Sequence, residues 1–378
     1  MDIYDYKSGT FKKQYGYISF SPEPINHSWL LSDKKVNHLL SEADRKLGEL
    51  NAFSQLIPDV DFFIKMHIIK EATKSSMIEG TQTNMEDAIQ NAEYINPENR
   101  DDWQEVHNYI DAMNYSIKQL DKLPLSNRLL KQTHKKLLQG VRGKNKLPGE
   151  FRNSQNWIGG ASLKDAIYIP PHHDEVPELM SDLEKFLNNE ELQVPPLIQI
   201  GIAHYQFETI HPFLDGNGRL GRLLITLYLV SNKILNRPAL YLSDFFERNR
   251  SLYYDNLTGA RTKNNLMQWL NFFLVGVLET AENSIQTFNA IIKLRKQIEE
   301  KQIITLGKRI PLAMKLMNYL YTKPIVDTAE VAKVLDVNNS TAHRLIQDFE
   351  RLKILKEKTG FKRNRIFIFE RYLSLFEK

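Results

Sequence analysis

The 378-residue chain contains no cysteine, which excludes disulfides and suits a reducing, cytoplasmic setting. Long apolar runs are missing too. The longest, 223–230 and 269–278, are too short to cross a bilayer, and the first seven residues hold no apolar leader, so no membrane partner is expected. Charge of one sign is not in large excess: 50 basic residues face 46 acidic ones, a net +4 that demands no polyanion. There is no internal repeat and no low-complexity tract. The length exceeds one small domain, so two or three units are expected.

What stands out is His211-Pro212-Phe213-Leu214-Asp215-Gly216-Asn217-Gly218-Arg219-Leu220-Gly221-Arg222. Before it, Ile198, Ile202, Tyr205 and Phe207 suit a mostly buried helix. After it, Leu220, Leu223, Leu224, Leu227 and Tyr228 recur with helical spacing, so the loop opens a second helix. Gly216 and Gly218 let the backbone approach a ligand and adopt positive φ, which Asn217 also tolerates. Free N–H groups at a helix start form an anion cradle, reinforced by the helix dipole. Arg219 and Arg222, one turn apart, suit bidentate phosphate contact. Asp215 is a hard oxygen ligand for a magnesium ion, and His211 is a base near neutral pH. A competing metal reading of His204, Glu208, His211 and Asp215 is disfavoured, because Pro212 and the glycines break the helix it requires. His204 and Glu208 are read instead as packing and hydrogen-bonding residues.

The segment resembles the signature of Fic proteins, His-x-Phe-x-(Asp/Glu)-Gly-Asn-Gly-Arg-x-x-Arg, at every fixed position. The resemblance implies transfer of AMP from ATP to a Ser, Thr or Tyr hydroxyl of a target protein. It implies His211 as the base, Phe213 as the loop's anchor in the core and Asp215 as the Mg2+ ligand. Gly216, Asn217 and Gly218 would bind the α- and β-phosphates, Arg219 would support the phosphate site, and Arg222 would reach the γ-phosphate. Tyr241, Tyr253 and Tyr254 look like the nucleoside side of the family's nucleotide site. Some relatives carry an Asn shortly after the paired tyrosines where Arg261 stands here, and Tyr253 and Tyr254 fit core packing equally well.

Upstream, Ser75-Ser76-Met77-Ile78-Glu79-Gly80 is similar to the family's inhibitory motif, (Ser/Thr)-x-x-x-Glu-(Gly/Asn). Ser75 and Glu79 share a helix face. A glutamate paired with Arg222 would take the place and the charge intended for the γ-phosphate. The plain alternative is a solvated helix-end residue before a stop glycine, Gly80. Between these motifs, Asn156-Trp157-Ile158-Gly159-Gly160 and Ile167-Tyr168-Ile169-Pro170-Pro171 read as a short hairpin with an incompletely paired edge. Such an edge can add a partner's strand, and the resemblance implies that Ile167, Tyr168 and Ile169 hold the target segment.

The expected fold is mainly α: a multi-helix core with a small β-hairpin flap, followed by a winged helix-turn-helix. The units are 1–95, a helical region carrying the inhibitory helix; 96–302, the catalytic core; and 303–378, the tail. Helices are expected over 36–50, 62–76, 103–120 and 126–139, and again from Val176 to about Lys301. In the tail they are expected over 311–321, 328–335 and 340–352, with Thr328 and Asn339 as N-caps. Val331, Val334, Leu335, Val337, Ala342, Leu345 and Ile346 form the tail's small core, and 354–357 and 365–369 form wing strands. Lys353, Lys356, Lys358, Lys362, Arg363 and Arg365 crowd the wing, where DNA and protein are both partners to consider. Against the transferase stands a DNA-binding regulator whose core only senses a nucleotide; the intact His211 favours the transferase. Removal of AMP from a modified target, another nucleotide donor and a homodimer stay open.

Overall fold

The computed structural model describes residues 1–56, 60–140, 142–360 and 365–377. The chain opens with a hairpin, β1 (Gly9–Lys13) and β2 (Ile18–Pro22), antiparallel with Phe11 opposite Phe20. The hairpin adds strands to a stretch, 1–95, that was expected as a helical region. Gly16, at φ +84°, sits in the turn and marks a hairpin that the reading of the sequence passed over.

Helices then follow: α1 (Lys34–Leu56), α2 (Val60–Ile78), α3 (Met85–Ile89), α4 (Arg100–Leu120) and α5 (Asn127–Leu137). After the flap come α6 (Val176–Asn188), α7 (Pro196–Ile210), α8 (Asn217–Ser231), α9 (Ser243–Arg248), α10 (Arg250–Lys263) and α11 (Leu266–Lys301). The mainly α fold is as expected, and each expected helix has a counterpart, most with shifted ends.

Helix α7 is buried all round and α2 is buried over most of its surface, with Asp61 and Lys65 left exposed, which places both at the centre. On α2, Phe63, Ile64, Met66, Ile69 and Ala72 are buried, and so are the polar His67, Glu71, Ser75 and Ser76. On α7, every residue from Leu197 to Ile210 is buried. A helix with little or no solvent face must be enclosed by others. Accordingly α2 packs on α4, α8 and α9, and α7 on α6, α8 and α11, while α1 lies along α11.

The tail comprises α12 (Ile310–Thr322), β3 (Ile325–Asp327), α13 (Thr328–Leu335), α14 (Asn339–Arg351), β4 (Lys356–Glu357), β5 (Ile366–Ile368) and α15 (Glu370–Leu373). Its antiparallel sheet has the order β3-β5-β4, and β3 was not expected. The helix N-caps are Asp327 and Asn338, one residue before those expected; each side chain accepts from the N–H three residues on, at 2.8 Å. Val334 is 41% exposed, not core.

The tail is docked on the helical body. Phe63 of α2 meets Tyr321 and Tyr372 edge-on or tilted, and Tyr94 donates to Asp327 at 3.0 Å. Two wing lysines are engaged: Lys356 with Glu370 at 3.1 Å, and Lys358 with Glu86 of α3. Lys362 and Arg363 lie outside the described residues.

Candidate active site

Helix α7 ends at His211, whose backbone turns left-handed at φ +51° while its N–H still bonds to the Phe207 carbonyl at 2.9 Å. A non-glycine residue there is strained unless its surroundings hold it. They do, through Arg152, which the reading of the sequence missed, and Asn156, which it placed only in the flap. Arg152 donates from Nε to the His211 carbonyl at 3.0 Å and from Nη2 to the Pro171 and Ile210 carbonyls at 2.5 and 3.4 Å. Its own N–H bonds to the Pro212 carbonyl at 2.9 Å. The Asn156 amide donates to the Phe213 and His211 carbonyls at 2.9 and 3.3 Å. Burial pulls the Arg152 guanidinium down to about 10, leaving it charged at neutral pH.

Phe213 is fully buried, and His134 stacks on it with ring centres 3.9 Å apart. Gly149 N–H donates to His134 Nδ1 at 2.8 Å, so Nε2 carries the proton given to the Asp215 carbonyl at 2.9 Å. The Asn217 side chain bonds both ways with the Phe213 backbone, at 2.8 Å each. Asn217 therefore shapes the loop with its side chain and has only its backbone to offer a phosphate. Gly216, at φ +75°, starts α8.

The His211 imidazole is pushed down to about 4, chiefly by burial and then by Arg152. It is neutral near pH 7, the form able to accept a proton. Asp215 is partly exposed; its Oδ1 accepts from Gly216 N–H at 2.6 Å and lies 3.7 Å from Arg219 Nη2. Arg219 is buried and donates to the buried Glu105 of α4 at 2.9 Å, so its first role is to tie α8 to α4 beside Asp215.

Arg222 is buried at the end of α2. Nε donates to Ser75 Oγ at 2.9 Å, and Nη2 donates to the Ser75 carbonyl at 2.8 Å and to Glu79 Oε1 at 2.7 Å. Ser75 is one of the last residues of α2, so the guanidinium also satisfies an otherwise orphaned helix carbonyl. Gly80 ends the helix at φ +103°, with Thr81 N–H returning to the Ser76 carbonyl at 3.2 Å. Glu79 rests against the start of α8, where a Cβ added to Gly218 would overlap its Oε1. Burial pushes the Glu79 carboxyl up, but Arg222, helped by Arg219 and His211, holds it below its ordinary value. The carboxylate thus occupies the positive end of α8.

The three tyrosines separate. The Tyr253 hydroxyl is spent on His204 Nε2 at 2.9 Å, and His204 Nδ1 donates to the Gly221 carbonyl at 2.9 Å. With both nitrogens taken, His204 cannot ligate a metal. Tyr254, 39% exposed, feels Glu79 and Arg222 and remains at the site. Tyr241 is buried and lines a recess with His67, Lys70 and Asp244. Glu208 is buried against Gly221; burial, only partly offset by Arg222, pushes it up to about 7.

The flap is a minimal hairpin: one antiparallel bridge joins Ile158 to Tyr168, with backbone bonds of 2.8 and 3.1 Å. The Ile169 carbonyl accepts from Phe20 N–H of β2 at 2.9 Å, so the N-terminal hairpin already uses part of the expected free edge. Tyr168 is fastened by its hydroxyl to the Thr209 carbonyl at 2.7 Å and by Arg261 over its ring at 3.9 Å. Ile167, 80% exposed, is what the flap presents.

Residues 124–229 match the Fic/DOC family, and residues 37–118 match the Fic/DOC family N-terminal region. The chain belongs to the Fic family. The "Protein adenylyltransferase Fic" of Drosophila erecta is 32% identical over 133 residues, 33% of this chain and 24% of the relative. That of Drosophila melanogaster is 32% identical over 133 residues, 33% of this chain and 25% of the relative. The match to this chain thus spans about a quarter of the length of these curated relatives. The fold is shared with a Fic family protein from Desulfovibrio desulfuricans G20: TM-score 0.58, 19% identity, 91% of this chain and 98% of that one. It is shared also with Fic-1 from C. elegans: TM-score 0.52, 20% identity, 68% and 74%. In this Fic chain no described helix is long and apolar enough to cross a membrane.

Proposed function

We propose that this Fic protein transfers AMP from ATP to a hydroxyl side chain of a target protein, and that Glu79 restrains it. The observation that carries the reading is the meeting of Glu79 with Arg222 over Gly218, a carboxylate held where an incoming phosphate would bind. The names of the Drosophila relatives support the reaction class.

In this reading the neutral His211 takes the proton from the target hydroxyl. The hydroxyl oxygen bonds to the α-phosphorus, the bond from that phosphorus to the bridging oxygen breaks, and pyrophosphate leaves. The enzyme's contribution is positioning and charge, not covalent chemistry. The backbone N–H groups at the start of α8 receive phosphate oxygens, and Arg222 receives the γ-phosphate once Glu79 withdraws. Arg219 and His134 keep Asp215 and its loop in register. Asp215 fits a magnesium ion: a single, partly exposed carboxylate beside a phosphate cradle is the sparse oxygen set that Mg2+ accepts, leaving its other positions to phosphate and water. When bound, the ion would neutralise phosphate charge. Ile167 and its neighbours would guide the target segment, with Tyr168 clamped by Arg261 to keep the flap still.

The decisive experiment is mass spectrometry of the Glu79→Gly chain after incubation with ATP and magnesium. An AMP adduct on a hydroxyl residue, absent from Glu79→Gly combined with His211→Ala, is the expected result. No adduct on the chain or on any protein of a lysate would sink the transferase reading.

A further inference from the structure

Helix α2 carries a second polar surface that the signature loop does not use. His67 and Tyr241 are 7% and 6% exposed, and neither the His67 Nε2 nor the Tyr241 hydroxyl meets a partner among the described residues. Both line one recess between α2, α9 and α11, together with Lys70, Arg248, Asn283 and Ser284. Buried polar atoms are costly unless satisfied, so two orphans facing one recess point to a guest that is itself polar.

The charge around the recess says which kind. Lys70, Lys74 and Arg248 converge on the single carboxylate of Asp244 at 3.2, 3.6 and 3.6 Å, and Lys74 also reaches Glu247 at 3.1 Å. Among the residues lining the recess, Lys70 and Arg248 face Asp244 and the buried Glu71, whose carboxyl is pushed up by burial and already accepts from the Tyr109 and Ser243 hydroxyls and the Ser243 N–H at 3.0, 2.6 and 3.1 Å. Burial, with Lys70 close by, pushes the His67 imidazole down to about 3, so the ring is neutral at ordinary pH. Burial likewise pushes the Tyr241 hydroxyl up, so it stays an O–H donor. The α11 wall adds the Ser284 hydroxyl and the Asn283 amide. Asp244 and Glu71 oppose an anion, but the charge of Asp244 is already divided among three cations and the Glu71 oxygens are taken by Tyr109 and Ser243.

We propose that this recess binds a small oxyanion, a phosphate or carboxylate group that accepts from the Tyr241 hydroxyl and the His67 ring and is balanced by Lys70 and Arg248. The site is separate in its residues from the signature loop. It shares α2 with that loop, because His67 and Lys70 precede Ser75 and Glu79 on the same helix. A guest that bridges α2 to α9 and α11 would therefore steady the end of α2 and strengthen the hold of Glu79 on Arg222. That consequence rests on the function proposed above, whereas the site itself does not.

The test is isothermal calorimetry of the full chain with inorganic phosphate in one arm and malonate in the other. Saturable binding of at least one is expected, weakened about fivefold or more by Tyr241→Phe and by Arg248→Gln, each checked for an unchanged thermal melt. Arg222→Ala should leave saturable binding in place, weaker only by the share that coupling through the end of α2 contributes. No saturable heat with either anion would mean that the recess holds only water, and the proposal would fall. Binding lost in Arg222→Ala but kept in Tyr241→Phe would assign the anion to the signature loop and overturn it equally. Neither readout depends on nucleotidyl transfer, so failure here and failure of the transferase reading are distinguishable.

Discussion

Glu79 and Arg222, 143 residues apart in sequence, meet at 2.7 Å over the first turn of α8, so the end of one buried helix closes the anion-binding end of another. The contact is charge-assisted and involves a guanidinium that is almost wholly buried. Such hydrogen bonds are the strong ones, and a ligand phosphate must displace this one before it can use Arg222.

Replacing Glu79 by Gly should therefore raise self-labelling by adenosine-labelled ATP. A charge-assisted hydrogen bond of about 1.5–3 kcal/mol corresponds to a gain of about tenfold to a hundredfold. His211→Ala should remove the labelling in both backgrounds while ATP binding persists. Equal labelling of the wild type and Glu79→Gly, at equal ATP affinity, would show that Glu79 is not inhibitory.

Acid should destabilise the fold before the carboxylates titrate. His67, His134 and His204 are buried and neutral, with folded values near 3, 4 and 3 against an ordinary 6.5. Their folded values are depressed, so the unfolded chain binds more protons and stability falls as pH drops below about 6.5 toward 4. Each group contributes a slope of up to about 1.4 kcal/mol per pH unit in that window. Urea midpoints measured at about pH 7.5 and about pH 5 should differ clearly; identical midpoints would mean that the rings are not buried as described.

Glu208 works in the opposite direction. Its folded value of about 7 lies above the ordinary 4.5, so its contribution is complete below pH 4.5 and is lost as pH rises through 7. Glu208→Gln keeps the size and stays neutral. It should stabilise the chain at about pH 8, by up to about 3 kcal/mol, and do little near pH 4. A uniform effect at both pH values would point to packing instead of charge.

Arg152→Gln should cost about 2–3 kcal/mol, because several buried carbonyls around His211 would lose their donor. Labelling should fall as well, since the left-handed backbone of His211 would lose its clamp. Full activity at reduced stability would separate the two roles.

For the tail, gel-shift titrations against duplex DNA at several salt concentrations compare the full chain with a version ending near residue 300. The pairing of Lys356 with Glu370 and of Lys358 with Glu86 leads us to expect weak binding that is the same for both. Salt-sensitive binding confined to the full chain would restore a nucleic-acid role.

The local chemistry of this protein was legible in its sequence. Pro212 and Gly216 mark the end of α7 and the start of α8, so the loop between them, with His211, Asp215 and Arg222 around it, could be drawn from spacing alone. The boundaries of α13 followed in the same way from its apolar period. The pairing of Glu79 with Arg222 was expected only through a motif resemblance, because nothing in the spacing of either segment says which helices face each other.

Tertiary packing decided the rest. It spent the Tyr253 hydroxyl on His204, moved Tyr241 into a recess behind α2, gave the Asn217 side chain to Phe213, and laid β2 along Ile169. It also recruited Arg152, Asn156 and His134, whose sequence neighbourhoods carry no catalytic signature. The physical reason is that buried carbonyls and strained backbone must find donors wherever the fold brings them. Those partners are chosen by distance in space, which a linear spacing does not encode.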